Sequence, residues 1–459
     1  MKFLILNGSP KGEYSITLHT AMFLEKKFPG HEYEVLHVGK KIRAFEKDFS
    51  DAKKAIERAQ AIIFAYPVYT FIATGQLHRF IELMKASGID LSGKIATQIT
   101  TSKHFYDITA HNYIQENCQD MGMRFVRGLS ADMEDLTTEK GRLEAESYFK
   151  RLVFSIENSI FEPNRLMKSQ NTLKKAEPSK NAEKTIGGRV AIVADLKEDD
   201  EILESMINRL QSRLPVASSV YNIRKINIMG GCLGCFRCAA GGKCVYTDGF
   251  DRFLREEIET ADAIVYAFSI SDHSMGARFK MFDDRRFCNG HRPVTEGTPI
   301  AFIVNGDVSC EPNLSMILEA RSQVGGNALS GIADSASDVN AQIDAVADSI
   351  GFMIENHYTE PQNFYGVGGM KIFRDLIFQM RGLMRADHRY YKSHGKYDFP
   401  QKNRGTIIKM QLVGMLMNNK KIQAKMGNRL NEGMVAPYKK VLENLKESEE
   451  SGGGTEGKR

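Results

Sequence analysis

Apolar positions along this chain fall into short runs separated by longer amphipathic stretches. Lys2 to Asn7, Tyr33 to Val38, Ala61 to Tyr66 and Lys94 to Thr100 read as strands. Ser15 to Lys27 and Phe71 to Lys85 carry helical periodicity between them. Near-continuous apolar runs alternating with helices predict a parallel sheet covered on both faces. The alternation stops in a polar, lysine-rich stretch, 166–185, then restarts. Arg189 to Ala194, Tyr221 to Met229, Ala263 to Phe268 and Ile300 to Asn305 read as strands, and Asp200 to Leu214 and Phe250 to Thr260 as helices. The order of elements is that of one module used twice. The expected organisation is an α/β module at 1–157, a linker at 158–186 and a second α/β module at 187–358. A helical extension follows at 359–447, then a disordered tail at 448–459.

The extension is patterned differently. Met370 to Arg385 sets Phe373, Leu376, Ile377, Met380 and Leu383 on one helical face, and Thr406 to Met417 and Lys420 to Lys440 also read as helical. Methionines 370, 380, 384, 410, 415, 417, 426 and 434 crowd it, which suits core packing or an adaptable wall of an apolar pocket. It is also basic. Tyr365 to Lys446 holds seventeen Lys and Arg against five Asp and Glu, +12 in a chain whose total is +5, so the remainder is −7. A solvated face or contact with an anionic membrane surface both fit that charge. No interleaving of aromatic and basic residues points to nucleic acid. No apolar run reaches the length of a membrane span, and the start is too short and too quickly polar for a signal peptide, so a cytoplasmic protein is expected.

Chemistry concentrates in two places. Gly8-Ser9-Pro10-Lys11-Gly12-Glu13-Tyr14-Ser15-Ile16-Thr17 joins the first strand to the first helix. Amides and hydroxyls at a helix N-terminus bind phosphate without a cation, although a plain capped turn reads the same way. The loop has neither dinucleotide nor triphosphatase spacing. Ala65-Tyr66-Pro67-Val68-Tyr69-Thr70 ends the third strand, on the side where ligands bind in such folds. The second place is Cys232, Cys235, Cys238 and Cys244, four of the seven cysteines within thirteen residues. One compact run suits an iron–sulfur cluster, zinc sites more often take two separated pairs, and unligated thiols remain a third reading.

With these motifs the chain resembles the flavodoxin-like NAD(P)H-dependent FMN reductase family, as a tandem of two modules. The resemblance implies two doubly wound parallel-sheet domains and a flavin-dependent oxidoreductase. It implies an FMN phosphate held by Gly8, Ser9, Pro10, Lys11, Ser15, Ile16 and Thr17. It further implies an isoalloxazine bordered by Pro67, Val68, Tyr69, Thr70, Thr101 and Ser102. The cysteine run resembles that of iron–sulfur flavoproteins in the same family, which implies one [4Fe–4S] cluster on the four thiolates. The resemblance also makes NAD(P)H a donor, a ferredoxin-type protein an alternative carrier, and a homo-oligomer the expected assembly. The second module departs from the pattern. Asp195, Glu198, Asp199 and Asp200 stand where a phosphate loop would be, and Ser269-Ile270-Ser271-Asp272-His273 replaces the Pro-Val-Tyr loop.

The expected chemistry is reduction of a small, quinone- or enone-like acceptor, with proton donors sought among Tyr69, His104 and His273 on the cleft loops. An electron-transfer protein without its own organic substrate is the alternative. Divided labour is expected, with flavin on the first module and cluster on the second, facing each other across an internal pseudo-twofold. Arg285, Arg286 and His291 form a small basic loop that suits an anionic ligand or plain surface charge.

Overall fold

The computed structural model describes residues 1–417 and 432–444. Strands β1 (Lys2–Asn7), β2 (Glu32–Leu36), β3 (Ala61–Pro67), β4 (Ile95–Ser102) and β5 (Arg124–Phe125) form a parallel sheet in the order β2-β1-β3-β4-β5, and β6 (Leu129–Asp132) pairs with β4. Strands β7 (Ile186–Ala194), β8 (Val216–Asn222), β9 (Ala263–Ser269), β10 (Ile300–Asn305) and β11 (Leu329–Asp334) form a second sheet, ordered β11-β10-β9-β7-β8. Both follow the doubly wound 2-1-3-4-5 order of the flavodoxin-like fold.

Residue alternation explains how the sheets are buried. Phe3 and Ile5 of β1 turn to an apolar cluster on the outer face of the first sheet, while Leu4 and Leu6 turn to a cluster shared by both modules. In β9, Ile264, Tyr266 and Phe268 join that shared cluster, and Ala263, Val265 and Ala267 face the opposite side. The central strands are therefore covered on both faces, which is why they read as unbroken apolar runs, while β2 and β8 at the sheet edges stay partly exposed.

The modules meet through the Gly75–Ala86 and Gly276–Arg285 helices, each preceded by a loop of the same shape. Tyr69 bridges to Ile72 in one loop and Ser271 to Ser274 in the other. Thr70 and Phe71 have positive φ, and so do Asp272 and His273. The module repeat thus extends to backbone conformations that the sequence does not advertise.

Several boundaries move. The strand expected at Tyr221 to Met229 is not formed there: β8 lies upstream, shares only Tyr221 and Asn222 with it, and ends at Asn222. There the Asn222 carbonyl accepts from Lys225 N at 3.0 Å and its side chain from Arg224 N at 3.0 Å, closing a turn. Residues up to 231 are irregular. Tyr33 to Val38 shortens to β2, and Val38 opens a helix, Val38–Lys47. Phe71 to Thr74 are loop, and Thr74 caps the helix that follows. Phe250 to Thr260 divides into an α-helical turn, Phe250–Phe253, and a π-helical one, Leu254–Ile258. The 158–186 linker is pinned along its length: Pro163 O accepts from Gln119 at 2.9 Å, Asn171 donates to Asp307 at 2.8 Å and Lys174 N to Ser335 O at 2.8 Å.

In the extension, helices span Phe364–Gln379 and Arg385–Ser393, and they pack within the unit Met1–His394. The unit Gly395–Arg459 contains the Arg404–Met417 helix and a helix over 432–444. Met426, residues 420–431 of the expected Lys420 to Lys440 helix and the 448–459 tail lie outside the described residues.

Candidate functional site

The expected phosphate loop, residues 8–17, leaves the carboxyl end of β1. Asn7 frames it: its Nδ2 donates to Gly12 O at 2.9 Å and its Oδ1 accepts from Ser9 N at 3.2 Å. Ser15 caps the Ile16–Lys27 helix by accepting from Leu18 N at 3.2 Å. Thr17 and Thr101 share a 2.5 Å hydrogen bond that ties this helix to the end of β4. Buried hydroxyls of Ser9, Ser15 and Thr17 therefore gather at a helix N-terminus, a donor set that fits a phosphate.

Pro67, Val68, Tyr69 and Thr70 border the same cavity, with Thr101, Ser102, Lys103 and Phe105 from the end of β4. Cys232, Cys235, Cys238 and Cys244 line its far side. Lys11 Nζ stands 5.4 Å from the centre of the Phe236 ring, linking the phosphate loop to the cysteine loop. Gln76 Nε2 donates to Cys232 O at 3.3 Å. The two motifs thus form one site. Gly8 and Pro10 belong to the loop without lining the cavity; Ile16 lines it.

The cysteine loop turns through Gly234 and Phe236, with φ of +61° and +59°. A Cβ at Gly234 would overlap the Tyr69 hydroxyl, so this approach needs glycine. Cys232 Sγ accepts from Gly234 N at 3.4 Å, a contact suited to a thiolate ligand. Burial pushes the Cys232 thiol well above its ordinary range and Cys238 up to about 11, while Cys235 is exposed. Four sulfurs on one short loop fit an iron–sulfur cluster as a donor set. Among the described residues, however, no three His, Cys, Asp or Glu groups converge closely enough to hold a metal ion.

The second module supports the 67–70 loop from behind. Lys280 and Asp284 are fully buried and paired with each other. Lys280 Nζ donates to Tyr69 O at 2.9 Å, and Asp284 accepts from Thr70 Oγ1 at 3.0 Å and from Gly75 N at 2.7 Å. Nothing in the spacing of Lys280 and Asp284 announces this; it arises only from docking one module on the other.

The three expected proton donors are dispersed. Tyr69 lines the cavity, and burial holds its phenol well above the usual range. The His104 ring bonds Asp107 at 2.8 Å and is half exposed, and its neighbours Lys103 and Phe105 line the cavity instead. His273 lies away from the cavity, between Glu311 at 3.0 Å and Asp120 at 3.6 Å. Burial opposes its charge, but hydrogen bonds to Asp120 and Glu311 prevail and raise it to about 9.

The basic loop is not surface charge. Arg285 is 1% exposed, forms two 2.8 Å bonds to Asp248 and stacks 4.2 Å from the Tyr246 ring centre. Arg285, Tyr246, Phe287, Cys288 and His291 all line the cavity, as do Ile372, Phe373 and Leu376 from the extension. The basic residues Arg285 and His291 and the apolar face of that last helix were sequence signals; Cys288, isolated in sequence, carried none.

Residues 1–132 match the model of the NADPH-dependent FMN reductase family. The chain is 33% identical over 84 residues to an iron-sulfur flavoprotein of Archaeoglobus fulgidus, a match covering 17% of this chain and 38% of that relative. The chain thus spans about two fifths of the length of the curated relative it matches. Among solved structures, it is similar to a putative quinone reductase from Klebsiella pneumoniae, at 16% identity and TM-score 0.28, over 37% of this chain and 88% of that one. It is likewise similar to general stress protein 14 of Treponema denticola, solved in complex with FMN, at 11% identity and TM-score 0.28, over 33% of this chain and 98% of the other. No helix among the described residues is long and apolar enough to cross a membrane.

Proposed function

We propose that this chain is a flavin-dependent oxidoreductase that holds FMN on its first module and a [4Fe–4S] cluster on the cysteines of its second. It reduces a small, conjugated, apolar acceptor with electrons from NAD(P)H or a ferredoxin-type carrier. The observation that carries this reading is that Ser9, Lys11, Ser15, Ile16 and Thr17 line one cavity together with Cys232, Cys235, Cys238 and Cys244. The match of residues 1–132 to the FMN reductase model supports the flavin half. The donor set of the cysteine loop, and the similarity to an iron-sulfur flavoprotein, support the cluster half.

When bound, FMN supplies exchange between hydride and single electrons, and a cluster supplies one-electron transfer. The chain's own residues do the rest. Ser9, Ser15, Thr17 and the helix N-terminus bind the phosphate. Pro67 to Thr70 border the ring, with Lys280 fixing the Tyr69 carbonyl. Phe105, Met133, Ile372, Phe373 and Leu376 form an apolar wall that excludes water and suits a flat organic acceptor.

Anaerobic purification followed by flavin, iron and sulfide assays tests this. The expected result is one FMN per chain with about four iron and four sulfide. Cys232→Ala and Cys238→Ala are expected to lose the iron and keep the FMN. A chain without flavin overturns the reading. Flavin without iron in the unsubstituted protein removes the cluster half only.

A further inference from the structure

His291 reaches the cavity on the loop after the Gly276–Arg285 helix, and the extension supplies its partner. Asp387, in the Arg385–Ser393 helix, is fully buried. Its Oδ2 faces His291 Nδ1 at 3.0 Å and accepts from the His291 backbone N–H at 3.1 Å. Its Oδ1 lies 3.3 Å from Arg292 Nε. Gly290 has φ +63°, and a Cβ there would overlap the Asp387 carboxylate, so the backbone approaches as only glycine allows. Tyr391 Oη donates to His291 O at 3.0 Å. Phe287 and Phe373 meet the ring edge to face, at 5.4 and 4.9 Å between centres. The ring is held on every side, its Nδ1–H is committed to a carboxylate, and Nε2 has no hydrogen-bond partner among the described residues. A histidine oriented in this way by a buried acid is arranged for proton transfer at its other nitrogen.

We propose that His291 is the proton donor to the acceptor and that Asp387 is the residue that positions it. This rests on the flavin reading above. A conjugated carbonyl compound receives a hydride, two electrons and one proton, from the reduced flavin at the carbon conjugated to its C=O group. The displaced π pair moves to the carbonyl oxygen, which takes the proton from Nε2–H of the doubly protonated His291 ring to give the enol. The flavin is oxidised by two electrons. The ring is left neutral with Nδ1–H still on Asp387, and Nε2 regains its proton from water. The C-terminal extension therefore completes the catalytic site.

The test uses full-length, flavin-loaded protein reduced with dithionite and mixed with either menadione, a quinone whose reduction consumes protons, or ferricyanide, which takes electrons alone. In His291→Gln, kcat for menadione is expected to fall about 10²- to 10³-fold with KM little changed, and ferricyanide reduction to be unaffected. Asp387→Asn is expected to lower kcat for menadione by a smaller factor. In the flavin-free protein it is expected to shift the ¹⁵N signals of the neutral His291 ring from the Nδ1–H tautomer towards a mixture. Equal loss with both acceptors in the flavin-loaded His291→Gln protein, or no loss with either, overturns the proposal. So does a ¹⁵N spectrum showing His291 as the Nε2–H tautomer before and after Asp387→Asn. An unsubstituted chain that binds no flavin overturns the parent reading first and this one with it.

Discussion

The Asp284 carboxylate of the second module accepts a hydrogen bond from the Gly75 backbone N–H of the first at 2.7 Å. Glu82 returns the arrangement, accepting from Ala277 N at 2.8 Å. Each helix N-terminus at the module contact is thus capped by an acid from the opposite helix, where a negative charge also complements the helix dipole. Behind Asp284 stands Lys280, so the cap, the ion pair and the Tyr69–Thr70 loop form one buried network.

Removing one member of that network leaves a buried charge without its partner. Asp284→Ala is expected to cost about 3–5 kcal/mol in urea unfolding, and Asp284→Ala with Lys280→Met to recover much of it. FMN affinity is expected to fall in the single variant, because Thr70 loses its anchor. Equal stability of the single variant and the parent would show that the network does not hold the modules.

His273 gives the module contact a pH dependence. Its folded-state value, raised to about 9, exceeds the ordinary histidine value of about 6.5. The stabilisation is therefore complete below about pH 6.5 and is lost as pH rises through 9, on the order of 2–3 kcal/mol over that window. Thermal unfolding at pH 6, 8 and 10 should show the decline, and His273→Gln should flatten it. An unchanged slope in the variant would assign the decline to other groups.

Gly234→Ala is expected to displace either Tyr69 or the cysteine loop, because the new methyl group and the Tyr69 hydroxyl overlap. Iron content and FMN affinity should both fall, whereas melting temperature changes little. Tyr69→Phe in the same chain removes the overlapping oxygen and should restore part of the loss.

Thiol reactivity should rank by burial in iron-free protein. Cys235 is exposed and should be alkylated first. Cys118 is fully buried, and burial pushes its thiol far up, so it should react only on unfolding. Cys288, held up to about 12 by burial, should react after Cys235 and before Cys118. Mass spectrometry of a timed iodoacetamide reaction gives the order, and early labelling of Cys118 would contradict the buried position of its helix.

Strands β5, β6 and β11 were not among those read from the sequence, and β8 lies mostly ahead of its expected place. The sequence by itself determined the central strands, the doubled α/β order, the glycine- and serine-bearing loop after β1 and the cysteine run. All of these rest on local rules: apolar runs mark strands covered on both faces, and ligand spacing within a loop survives any packing. It did not reveal which side chains share the cavity. His273 and His104 were as plausible on cleft loops as His291, because a loop's sequence does not say which way its side chains face. Docking turned His273 towards Asp120 and Glu311 and brought Asp387, 96 residues away in sequence, to His291. Lys280 and Asp284 carried no reading in the sequence and Arg285 read as part of a small basic loop, until burial gave each a fixed partner. Apart from the i,i+4 pair of Lys280 and Asp284, these relationships join residues with no common period or spacing, and so belong to tertiary structure. Their energies also depend on water being excluded, which no single segment achieves alone.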